Sequence, residues 1–224
     1  MNGISDIILI MGQSKSIIKL FDEEASRKLF KMGLLRRMEG IFVWEVRKDV
    51  IGSLGLNTAT YNSNLIVDVN PVVGINHLRI EKLIAELRQR KFHTYTPVTY
   101  AVPLGYLTPE NTYKKWSFWA NADWEEPFHD MLDAFVKYGI PFVEKNSSLQ
   151  VLCQEMATGK YGHFLVPTHE LPVAYFLLGN YAAAKDQVEK QLEEQKDRTD
   201  ETAVEYRKFV ERFLERIKEA QAKR

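Results

Sequence analysis

His77 and Glu81 stand four residues apart, a spacing that puts both on one side of a helix, and Asp68 lies on the strand pattern that precedes them. An imidazole close to carboxylates can take up and return protons, so His77, Glu81 and Asp68 are the candidate catalytic residues if the chain is an acid–base hydrolase. The competing account is a hydrogen-bonded structural histidine at a helix start. A second cluster holds Asp123, Glu125, Glu126, His129, Asp130 and Asp133. His129 and Asp133 share a helix face, and His129, Asp130 and Asp133 are candidate ligands for a divalent metal. Pro127 and the acids around it are also what a helix start needs, because the first turn favours proline and negative charge. A third group is basic: Arg79, Lys82, Arg88, Arg90 and Lys91, followed by Phe92, His93, Tyr95 and Tyr100. Cations interleaved with aromatics can pair phosphates and stack bases, which makes these five the candidate nucleic-acid-binding residues. The same aromatics suit a strand, and a basic helix face is commonly only solvated.

The familiar signatures of catalysis are missing. The sequence has no GxxxxGK[ST] or GxGxxG loop, no GxSxG elbow and no HExxH. Its 224 residues carry 30 basic and 30 acidic side chains, so no global field draws in nucleic acid. Cys153 is the single cysteine, which excludes an internal disulfide and cysteine-based zinc sites and reads as a small buried apolar residue. The N-terminus lacks a basic start and a cleavage site, and no apolar run is long enough to cross a bilayer. These features predict a cytoplasmic chain with no membrane partner and no cofactor.

The elements that must position those residues follow from periodicity. Ile4, Ile7, Ile8 and Met11, then Ile17, Ile18, Phe21, Ala25, Leu29 and Met32, are spaced for one broken helix or two consecutive ones ending at Gly33. Three strand patterns follow, at about 41–46, 51–61 and 65–73, joined by short polar connections. Such connections favour an antiparallel meander, with Pro71 at an edge or a bulge. Helical spacing returns over 76–91, and residues 98–107 suit a fourth strand. An aromatic segment, 110–126, reads as core, and residues 127–138 form a helix stopped by Gly139 and Pro141. The His163 and His169 pair reads as a loop before a helix, with Thr168 or His169 as its cap. Beyond residue 147 the chain predicts only helices, at about 148–158, 170–179, 181–196 and 200 to the end. The expected fold class is α+β: a mostly antiparallel sheet with flanking helices over 1–145, then a helical region over 146–224.

Two resemblances arise from particular residues. Gly52-Ser-Leu-Gly-Leu-Asn-Thr-Ala-Thr60, Val69-Asn-Pro-Val-Val-Gly74, His77 with Glu81, Lys91-Phe-His93 and Pro103-Leu-Gly-Tyr-Leu-Thr-Pro109 resemble a group of uncharacterised bacterial proteins over about residues 35–120. That group brings no activity and no functional residues with it. The setting it implies is bacterial, with defence or toxin immunity as the expected context. Leu171-Pro-Val-Ala-Tyr-Phe-Leu-Leu-Gly-Asn-Tyr-Ala-Ala-Ala184 is similar to one tetratricopeptide helix pair, which implies a scaffold for helices or peptides. The leading expectation is therefore a non-enzymatic interaction protein, an adaptor or subunit that docks a protein partner through its C-terminal helices. The alternatives are a metal-dependent or acid–base hydrolase, for example a nuclease, and the nucleic-acid binder described above.

Overall fold

The computed structural model describes residues 16–62, 65–95, 98–161 and 167–223. The helix expected at Ile4 to Met11, the Ser63-Asn64 connection, Pro97 and His163 lie outside the described residues.

Helix α1 (Ile17–Lys31) buries Ile17, Phe21, Ala25 and Leu29, one per turn, and Gly33 then takes a left-handed φ of 86° that turns the chain into the sheet. Strands β1 (Leu35–Met38), β2 (Ile41–Arg47), β3 (Val50–Tyr61) and β4 (Ile66–His77) form the antiparallel meander that the short connections favour. The far side of β4 is shared. β5 (Tyr100–Pro103) pairs with Val72–Ile75, and β6 (Trp116–Trp119) pairs with Ile66–Val69. Pro71 is therefore in an interior strand, but it falls in the gap between β5 and β6. The position is locally an edge, where a missing N–H costs little. β1 and β6 were not separately visible in the sequence.

Side chains alternate across β4. Val67, Val69, Val73 and Ile75 point into the core with their cross-strand partners Thr58, Leu54, Phe118, Trp116, Val102 and Tyr100. Above that face lie α1 and α3 (Glu125–Ala134), whose Phe21 and Phe128 rings sit 4.8 Å and 4.7 Å from Phe118. The helix expected to stop at Gly139 and Pro141 does not stop there. It passes through one π-turn, Phe135–Gly139, and continues as α4 (Ile140–Lys145), with Pro141 in its first turn, where a missing N–H is tolerated. A Cβ on Gly52 would overlap the Trp44 ring that lies across it. Gly52→Ala is expected to destabilise the fold by about 1–3 kcal/mol, read as a lower urea midpoint with unchanged slope.

The remaining helices are α2 (Leu78–Leu87), α5 (Leu149–Thr158), α6 (Glu170–Leu177), α7 (Tyr181–Glu194) and α8 (Glu201–Ala222). Asn180 and Asp200 cap α7 and α8 through side-chain oxygens that accept the Ala183 and Ala203 N–H groups. Phe209 and Phe213 of α8 stack at 5.6 Å and join Phe176 of α6. Buried side chains from α1 to α8 form one continuous cluster. Among the described residues no helix is long and apolar enough to cross a membrane.

Candidate functional site

The end of β4 and the start of α2 place His77 and Glu81. His77 is the last strand residue, and Glu81 follows one helical turn later on the inward face of α2 with Ile80 and Ile84. Both are buried, at 4% and 2% exposure. What joins them is Thr99, on the approach to β5. Its hydroxyl donates to Glu81 Oε1 at 2.8 Å and accepts the His77 backbone N–H at 2.8 Å. The Thr99 N–H is fixed on Ile75 O. Three buried atoms at this junction find no hydrogen-bond partner among the described residues: His77 Nδ1, Glu81 Oε2 and Asn76 Oδ1. Unpaired groups of this kind are costly and uncommon. Thr99→Val keeps the shape but orphans the His77 N–H and the Glu81 carboxyl. It is expected to cost about 2 kcal/mol, measured by urea unfolding.

Burial and neighbours set the charges here. Burial raises the Glu81 carboxyl to about 7 against the Thr99 hydrogen bond, and the Glu170 carboxylate pushes the same way. Burial lowers His77 to about 4, helped by Arg79 and Arg47. The N-terminal end of α6 adds His169 and Glu170. Burial lowers His169 to about 4, with Arg88 and Arg90 adding to it. Burial raises Glu170, although its Oε2 accepts the His169 N–H and Arg88 attracts it. A cavity of about 210 Å³ between these elements is lined by Thr99, Tyr100, His169 and Glu170. Burial thus favours a neutral imidazole at His77 and at His169 and a protonated carboxyl at Glu81, protonation states that general acid–base chemistry uses. The charges acting on His77, however, are Arg79, Arg47 and Asp49, whereas the one acting on Glu81 is Glu170.

Asp68 is not part of it. It sits nine residues back along β4 and on the opposite face, because 68 and 77 differ by an odd number. There its Oδ1 accepts the Ser117 hydroxyl at 2.6 Å and its Oδ2 accepts the Lys115 ammonium. Burial would raise this carboxyl, but Lys115 and Ser117 hold it below its ordinary value. The proposed metal ligands also diverge. His129 Nε2 lies 3.2 Å from Asp133, on an exposed helix face, while Asp130 takes the Trp116 indole N–H at 2.7 Å and Lys114 at 3.0 Å. Among the described residues no three His, Cys, Asp or Glu side chains group closely enough to hold a metal ion.

The five candidate nucleic-acid residues do not form one stripe. α2 ends at Leu87, so Arg88, Arg90 and Lys91 lie beyond the helix that was expected to carry them. Arg79 lies near His77, and the Lys82 ammonium sits 5.6 Å above the Phe92 ring. Arg88 faces the carboxylates of Glu170 and Glu205. Cys153 is buried, and burial pushes its thiol up to about 11, far from a reactive thiolate.

A surface feature that the sequence reading missed lies on α1 and β1. Phe30 is 69% exposed, Met38 53% and Leu35 47%, and Met32 is exposed as well. All four residues of β1 are exposed. The stretch from Arg27 to Lys48 carries seven basic and two acidic side chains in a chain of zero net charge. Its sequence signal was present, as large apolar residues among cations just outside the helical period of α1. Comparison of the chain with protein-family models, with curated proteins and with solved structures finds no match.

Proposed function

We propose that the protein is a non-enzymatic interaction protein, an adaptor or subunit of a larger assembly. The observation that carries this reading is the corner formed by the end of α1 and β1. There Phe30, Met32, Leu35 and Met38 are exposed within nine residues, a density of apolar side chains that marks contact surfaces. The charged outer faces of α7 and α8 are the second surface proposed for a protein partner, with Val204 of α8 as an exposed apolar residue there. A cytoplasmic setting agrees with the single unpaired thiol. Bacterial defence or toxin immunity is the context proposed from the sequence resemblance over residues 35–120.

The test is in-cell cross-linking and affinity purification of the full chain, with and without nuclease, read by mass spectrometry. One stoichiometric protein partner that survives nuclease is expected. Recovery of nucleic acid alone, or of no partner, overturns the reading. One specific observation favours a second reading, an acid–base hydrolase: His77 Nδ1 and Glu81 Oε2, on the two residues that Thr99 joins, are buried without a hydrogen-bond partner among the described residues. In that case Glu81→Gln and His77→Asn abolish hydrolysis in a substrate screen while the protein stays folded.

A further inference from the structure

The geometry points to the free edge of β1 as the docking site for an extended, acidic and apolar segment of a partner protein, which adds a strand to the sheet; this rests on the interaction reading above and names its surface. β1 pairs with β2 on one side and has no neighbouring strand among the described residues on the other. Alternate backbone N–H and C=O groups of such an edge face outward and can be met by an incoming strand.

Charge selects the occupant. Several cations of this corner are already neutralised within the chain: Arg36 by Asp22, Arg27 by Glu24, and Lys28 by Glu24 and Glu125. Lys31 and Arg37 have no acidic partner among the described residues. The Arg37 guanidinium instead lies 4.0 Å from the centre of the Tyr95 ring and donates to the Tyr95 hydroxyl at 2.7 Å. That contact holds a cation without an ion-pair partner among the described residues on the exposed strand β1. Leu35 and Met38 are exposed on the same strand, and Phe30 and Met32 at the adjoining end of α1, so the complementary strand alternates acids with apolar residues.

A second copy of this chain fits poorly. β1 paired with β1 about a two-fold axis between residues 36 and 37 sets Arg36 against the copy's Arg37, and like charges opposed across strands are unfavourable. Arginines on a short, bulged edge also repel indiscriminate strand pairing. An acidic strand is the one such charges accept, so the same residues exclude and select. A lipid surface or a nucleic acid would use the cations but not the backbone edge.

The test uses the full chain and an acetylated Asp-Ile-Glu-Val-Asp-Ile-Glu-Val peptide as the probe, with a control carrying Lys at every acidic position. Saturable binding of the acidic peptide is expected by fluorescence anisotropy, together with slowed amide hydrogen exchange at residues 35–38. Lys31→Glu and Arg37→Glu should each weaken it about tenfold. Lys31→Glu leaves the Tyr95 contact intact, so one variant remains informative if the other loosens that loop. No binding overturns the proposal. So does equal binding of the control peptide, or peptide binding that leaves exchange at 35–38 unchanged. Slowed exchange at 35–38 produced by anionic phosphatidylglycerol vesicles or oligothymidine, but not by the acidic peptide, assigns the edge to another class of partner and overturns it too. If cross-linking recovers a protein partner through α7 and α8 and the acidic peptide does not bind, the edge assignment fails and the interaction reading stands. Recovery of no protein partner removes the interaction reading itself.

Discussion

Glu81→Gln is expected to stabilise the protein above neutral pH and to leave it unchanged near pH 4.5. The wild-type carboxyl is raised to about 7 in the fold, chiefly by burial, and has an ordinary value when unfolded. A raised carboxyl contributes fully below its unfolded value, and that contribution is lost as pH rises through the folded value. The loss spans about pH 4.5 to 7 and amounts to roughly 3 kcal/mol. Glutamine reproduces the neutral acid: its carbonyl can still accept the Thr99 hydroxyl, and it has no charge to desolvate. The groups that face this carboxyl are Thr99 and, across the seam to α6, Glu170. His77 and His169 titrate in both proteins and cancel in the difference. Urea midpoints of both proteins from pH 4.5 to 8 check this, and a difference independent of pH would sink it. The experiment also bears on the hydrolase reading, because a carboxyl that titrates near 7 is available as a general acid at neutral pH.

Phe118→Ala should be the most damaging single truncation, at about 3–5 kcal/mol. Phe118 is fully buried on β6 and touches three aromatic rings, Phe21 of α1, Phe128 of α3 and Trp124 before it, at 4.8, 4.7 and 5.9 Å. Phe21 and Phe128 also stack on each other at 5.3 Å, so the site cannot collapse from one side alone. The loss is read from urea unfolding followed by tryptophan fluorescence, since Trp124 reports on the cluster. Because α1 is held by this cluster, the variant should also weaken acidic-peptide binding at β1. A midpoint shift equivalent to less than about 1 kcal/mol would mean that the ring packing is not what anchors α1.

The meander was legible because its connections are short and its strands are rich in β-branched residues. The helices beyond residue 147 were legible because their apolar residues keep a steady period. β1 was not, since Leu35-Arg-Arg-Met38 is too short to show alternation and is exposed on both faces. β6 was hidden in an aromatic run whose alternation, Trp116 and Phe118 inward against Ser117 and Trp119 outward, appears only once β4 provides a surface. The site divides in the same way. His77 and Glu81 follow from helical spacing alone. Thr99 does not, because it lies 18 residues beyond Glu81 and arrives through sheet pairing. Asp68 was assigned to the wrong neighbours for a reason of parity. The strand reading ended at residue 73, so nothing yet required 68 and 77 to share one continuous strand and point to opposite faces. Glu170 and His169 come from a helix whose packing on α2 no local pattern encodes.

The division of one side of β4 between β5 and β6 bears on how the chain is made. During synthesis β3 and β4 can pair as soon as residue 77 has emerged, but the last partner of β4 ends at Trp119, 42 residues later. At about 5–20 residues per second, β4 waits roughly 2–8 seconds with its outer side open. This twelve-residue strand is rich in valine and isoleucine, the kind of segment that nucleates aggregation between nascent chains. Pro71 interrupts its row of donors near the midpoint. A residue of small consequence in the finished sheet is, on the ribosome, a guard on an edge that has not yet been covered.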